Sequence, residues 1–138
     1  MLGREFARPG LAIAALMALA STGCGGRADA TSERASGVAS RFLDEVRAGR
    51  LEAAWQGTST EFKSLMGLES LRDYIKTHPT LKAPAEHAES RDVSLGGRAM
   101  SECVFHTTTK VRGKPVPATI TVLVAPEDGG RVERVVVQ

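Results

Sequence analysis

At 138 residues, 42% hydrophobic and 25% charged, the chain has room for one small folded domain once any processed segment is set aside. That excludes a two-domain enzyme, a disordered tail and a multispanning membrane protein. The net charge of +2 comes from 18 basic and 16 acidic residues spread along the chain, with no basic run and no aromatics interleaved with arginine, which excludes nucleic acid as a partner.

The first 23 residues read as a signal peptide. Arg4 and Arg8 supply a positive start, and residues 11–20 form an apolar run of ten. A membrane-spanning helix needs about 20 apolar residues, whereas small and polar residues begin here at Ser21. The segment Ser21-Thr22-Gly23-Cys24 resembles the lipobox of bacterial lipoproteins. That resemblance implies cleavage before Cys24 and acylation of its thiol, hence a membrane partner through a lipid anchor and an extracytoplasmic location. It also implies the outer membrane if the host has one, because Gly25 is not the Asp associated with inner-membrane retention. The alternative is cleavage after Ala28-Asp29-Ala30, which would release a secreted or periplasmic soluble chain.

With Cys24 acylated, Cys103 has no disulfide partner. It lies in a strand-like stretch, where a thiol reads as a small buried hydrophobe. No C-x-x-C or H-x-x-x-H spacing suggests a metal, and no Ser nucleophile elbow, P-loop, dinucleotide fingerprint or EF-hand loop is present. No cofactor is expected.

Residues 24–32 contain nothing able to form a core and read as a lipid-anchored flexible tether. From residue 33 the spacing of Ala35, Val38, Ala39, Phe42, Leu43 and Val46 predicts an amphipathic helix, with Ser32 as N-cap and Gly49 just past its end. A short second helix fits Leu51, Ala54 and Trp55, closed by Gly57. Thr58-Ser59-Thr60-Glu61 has capping-box spacing and opens a third helical region carrying Phe62, Leu65, Met66, Leu68, Leu71, Tyr74 and Ile75. Gly67 is its expected break and Pro79 its end.

Beyond Pro84, β-branched residues and period-two alternation predict four strands, over residues 86–95, 98–111, 116–125 and 131–137. Their short turns, Gly96-Gly97, residues 112–114 and residues 128–130, allow only antiparallel neighbours, so the sheet is a meander. Pro115 and Pro117 cannot donate to a ladder and place the start of the third strand at an edge or ahead of pairing. The reading is therefore one α+β domain over residues 33–138, with three N-terminal helices packed on one face of a curved four-stranded antiparallel sheet.

Residues 38–55, Ser59-Thr60-Glu61-Phe62, and Leu71 to Pro79 followed by the strands resemble the bacterial branch of the nuclear transport factor 2-like superfamily. This is the cone-shaped fold shared with SnoaL-like polyketide cyclases and ketosteroid isomerases. The resemblance covers roughly residues 33–137 and rests on fold-determining features, so it implies architecture more than chemistry. Members often carry a short strand pair among the helices, which this sequence does not display. A cystatin-like arrangement, with one long helix, stays open as an alternative topology.

Enzymes of that superfamily work inside the cone with Asp, Glu, His or Tyr, so the resemblance makes Glu102, His106, Asp44, Asp73 and Tyr74 the catalytic candidates. Glu102 and His106 stand four residues apart on one strand, about 13 Å between Cα atoms, too far for a direct dyad. Alternation puts Ser101, Cys103, Phe105 and Thr107 on the buried face, which turns Glu102 and His106 outward. Tyr74 and Trp55 read as core aromatics with one polar tip each; His78 and His87 read as solvated.

The first functional reading is a non-catalytic, membrane-anchored domain that binds an envelope protein or a small apolar ligand. The second is a small isomerase-, hydratase- or cyclase-like enzyme using His106 or Glu102 with Tyr74 as donor. The third is an oligomeric scaffold, a homodimer pairing through the sheet face that carries Thr119, Thr121 and Leu123.

Overall fold

The structure, a computed structural model, describes residues 26–138, with side chains from Thr31 onward. The expected signal peptide and Cys24 lie outside the described residues. Helix α1 (Gly26–Arg47) lays Ala35, Ala39, Phe42, Leu43 and Val46 against the core, the face its spacing predicts. It begins ahead of Ser32, so residues 26–32, expected as tether, continue the helix. The reason is propagation: once the core-facing turns are nucleated, each added residue gains a hydrogen bond, and Ala28 and Ala30 are strong helix formers.

Helix α2 (Leu51–Gln56) follows, capped by Gly57. The third helical region is two helices, α3 (Thr60–Leu65) and α4 (Leu68–Thr77), which makes four among the described residues in place of the expected three. Met66 and Gly67 are both extended, at ψ 103° and 171°, so the break at Gly67 is complete and Gly67 becomes the N-cap of α4. The cap of α3 is Ser59, one residue later than the box spacing implies: its hydroxyl accepts from the Phe62 N–H at 3.1 Å. Thr58 is occupied otherwise. Its hydroxyl donates to the Trp55 carbonyl at 2.6 Å, and it forms an isolated parallel bridge with Val132. A 3₁₀ turn, Pro79–Lys82, then leads into the sheet.

The four strands are β1 (Ala85–Leu95), β2 (Arg98–Val111), β3 (Lys114–Ala125) and β4 (Arg131–Val137), antiparallel in the order β1-β2-β3-β4. The two-residue turns have positive φ at both positions, 58° and 78° at Gly96-Gly97 and 53° and 78° at Arg112-Gly113. Such turns match the twist of the strands they join. A second 3₁₀ turn, Glu127–Gly129, joins β3 to β4, and the following Gly130 lies at φ 115°.

All four helices cover one face of this sheet. Cys103, Phe105, Ile120, Val122, Val124 and Val132 pack there with Leu43, Phe62, Leu71, Ile75 and Leu81. Burying a side chain of this size contributes about 1.5–3 kcal/mol. Among the described residues no element covers the opposite face, yet Met100, Val104 and Leu123 are buried on it. Arg91, Glu102 and Arg98 share that face, and long charged stems cover apolar surface while keeping their heads in water.

Pro115 and Pro117 do pair, opposite Lys110 and Thr108 of β2. Two bonds between Thr119 and Gln138 show which way β3 turns its backbone groups: Thr119 faces β4. By alternation the proline nitrogens also point to that side, past the last β4 pairing, so no ladder bond is missing.

Candidate binding site beside the edge strand

Of the expected catalytic residues, the structure brings no two together with Tyr74. Cys103 and Phe105 fill the core side of β2, so Glu102 and His106 lie on the far face of the sheet. Glu102 is held by Arg91, whose Nε donates to it at 2.6 Å. His106 is exposed, in a shallow depression with Glu86, Thr108 and Thr119. Asp44 is tied to Arg47 on the surface of α1, and Asp73 stands 3.9 Å from Lys76.

Tyr74 is in a different place. It lines an apolar cavity of about 110 Å³ between the helices and the edge strand β4. Phe42 comes from α1, Phe62 and Leu65 from α3, Leu71 and Tyr74 from α4, and Leu81 from the 3₁₀ turn. Met66 and the β4 residues Glu133, Arg134 and Val135 complete the wall. The cavity reaches the surface at Leu65, which is 84% exposed. An apolar cavity of about 150 Å³ holds benzene, so this one fits a single small apolar group.

The helix geometry builds this opening. The extended backbone at Met66 and Gly67 separates α3 from α4, and Trp55 Nε1 fastens the joint by donating to the Met66 carbonyl at 3.0 Å. On α4, Tyr74 stacks on the His78 ring, centroids 4.0 Å apart. Burial holds the Tyr74 phenol above its ordinary pKa, so it stays a neutral donor at physiological pH. Among the described residues its hydroxyl has no hydrogen-bond partner, which leaves it free for a ligand.

Glu133 also lines the cavity, a position that its spacing in the sequence does not reveal. One carboxylate oxygen accepts from Arg98 at 3.0 Å and the other is buried without a partner. Simple alternation could not place it, because the β3–β4 register shifts between Leu123 and Val124, opposite this point.

Cys103 is wholly buried, and burial pushes its thiol pKa up. Ser90 Oγ donates to its sulfur at 3.5 Å and in turn lies 2.7 Å from His87 Nε2. His87 also meets the Phe105 ring edge-on at 5.4 Å. A protonated, enclosed thiol of this kind is a packing group, not a nucleophile.

Among the described residues no cluster of His, Cys, Asp or Glu could hold a metal, and no helix is long and apolar enough to cross a membrane. No protein-family model matches the chain, and neither does any curated protein or solved structure.

Proposed function

We propose that this chain is an extracytoplasmic, lipid-anchored binding domain of the nuclear transport factor 2-like kind, which takes a small apolar group into the cavity beside Tyr74. The observation that carries the reading is the cavity itself: mainly aromatic and aliphatic walls, the unpartnered Tyr74 hydroxyl, Glu133 with one unpartnered carboxylate oxygen, and an exposed leucine at the mouth. Sites for small ligands combine an apolar lining with a few polar groups that fix orientation. The anchoring half of the reading rests on the lipobox-like sequence ending at Cys24.

Binding is favoured over catalysis because His106 and Glu102, the acid–base candidates, lie across the sheet from Tyr74. A homodimer through Thr119, Thr121 and Leu123 is not favoured either: Leu123 is only 6% exposed within a single chain, so pairing gains little apolar area there.

The test is benzene titrated to saturation into the isotope-labelled protein. Amide shifts concentrated at Leu71, Tyr74 and Val135 are expected. Shifts that are absent, or scattered over the surface, would overturn the reading.

A further inference from the structure

The sheet has two edge strands, and they are protected very differently. An edge strand offers unpaired backbone groups to any passing chain, and native proteins blunt such edges with charges, prolines and bulges. The β1 edge carries Glu86, Glu89, Arg91 and Asp92 together with a bulge between His87 and Glu89. The outward positions of β3 beyond its β4 pairing hold Pro115 and Pro117. β4 has its own charges and bulge at residues 131–134, but from Val135 to Val137 it has none of these devices.

The register shows what that edge presents. Gln138 exchanges two backbone bonds with Thr119, and Val136 and Arg134 follow it in pairing toward β3. Val135 and Val137 therefore turn their N–H and C=O groups outward, where no described residue meets them. The same edge is occupied a few residues earlier: the Val132 N–H donates to the Gly57 carbonyl at 3.2 Å and its carbonyl accepts from Ser59 at 2.9 Å. The chain then leaves into α3, so a row of pairing is begun and left vacant.

The apolar cavity adjoins this vacancy. Three consecutive β4 residues, 133–135, line it, at the register shift that breaks side-chain alternation at Glu133. Arg134, on the face away from the helices, is exposed and has no ion pair or hydrogen bond among the described residues. Arg47, Arg50, Arg72, Arg91 and Arg98 are paired with carboxylates, whereas Arg34, Arg41 and Arg112, away from this edge, share with Arg134 the lack of an ion pair among the described residues.

We propose that the outward edge of β4 takes up an extended peptide as a fifth strand, with one apolar side chain of that peptide in the Tyr74 cavity and an acidic neighbour paired with Arg134. This rests on the binding reading above and names its ligand class. The peptide residue opposite Val135 faces the cavity, and the one opposite Arg134 faces away from it, so an apolar residue flanked by acidic ones matches both faces. Main-chain bonds supply affinity in such strand addition and the side-chain pocket supplies selectivity.

The test uses the full-length protein and blocked heptapeptides of the pattern Thr-Val-Asp-Φ-Asp-Val-Thr, with Φ as Leu, Ile, Val or Phe. At least one peptide should slow hydrogen exchange at the Val135 and Val137 amides by about tenfold or more. Methylating the peptide nitrogens that face the edge should weaken binding at least about tenfold. So should Val135→Pro, which removes an outward N–H and leaves the inward ladder intact. Arg134→Ala should weaken binding and flatten its salt dependence.

Benzene entering the cavity while no peptide protects these amides would overturn strand addition and leave the cavity reading standing. Neither probe binding would overturn both. Equal affinity for the methylated peptide, or protection that grows with protein concentration alone and so marks a second copy as occupant, would overturn the peptide.

Discussion

The amide of Ser59 donates to the carbonyl of Val132 at 2.9 Å, while the hydroxyl of the same serine accepts from the Phe62 N–H at 3.1 Å. One buried residue thus ties the edge strand to the helix that forms one wall of the cavity. Ser59→Ala keeps the first bond and removes the second, leaving an uncapped helix start. The expected cost is about 1 kcal/mol, within a range of about 0.5–2. Urea unfolding midpoints of the two proteins check it, with Ser59→Asp, which restores an acceptor, expected to recover most of the loss.

Gly130 stands at φ 115°, and a Cβ built there would lie 2.9 Å from Val38 Cγ2. Gly130→Ala therefore meets both backbone strain and a clash with α1. Destabilisation of about 1–3 kcal/mol is expected. Adding Val38→Ala should remove the clash but not the strain, recovering only part of the loss. Full recovery in thermal unfolding would show that the backbone conformation costs nothing.

Leu65→Ser should leave stability unchanged within about 0.5 kcal/mol, because the side chain is already in water. It should nevertheless weaken uptake of benzene or peptide at the cavity mouth. Tyr74→Phe should keep the fold and the apolar uptake and lose only ligands that need a hydrogen-bond donor. Calorimetric titration of both variants separates these effects.

Cys103 and Tyr74 are both held above their ordinary pKa by burial. For each, the folded chain disfavours the anion, so the stability linked to it is complete below the unfolded pKa and falls as pH rises through the folded one. Stability should therefore decline above about pH 9, first through the thiol. Cys103→Ala should flatten the early part of that decline, at a cost in packing at neutral pH. In Cys24→Ser protein, Cys103 should resist thiol reagents until denaturant is added. Rapid labelling of the native protein would contradict the enclosed thiol.

Much of the sheet was legible in the sequence for local reasons. Gly96-Gly97 and Arg112-Gly113 suit turns that need positive φ, and alternation along β2 separates Cys103 and Phe105 from Glu102 and His106 without any tertiary knowledge. The break at Gly67 was legible as well, but not its completeness, since both Met66 and Gly67 adopt extended backbone. The start of α1 was not legible, because residues 26–32, largely polar and without a core-facing stripe, extend a helix that its later turns nucleate.

The cavity was not legible. Its walls come from Phe42, Phe62, Leu71, Leu81 and Val135, which spacing along the chain does not connect. Glu133 was hidden by the register shift opposite Leu123, and Thr58 gave up the expected capping role to pair with Val132. These are tertiary events: each depends on where β4 comes to rest against the α2–α3 joint.

The proposed anchoring of this domain to a membrane through Cys24 is open to intact mass spectrometry of the mature protein, extracted from the membranes of a bacterial host. The expected species lacks residues 1–23 and carries acyl groups on an N-terminal Cys24. A soluble chain beginning at Thr31, or an unprocessed chain beginning at Met1, would overturn the anchor.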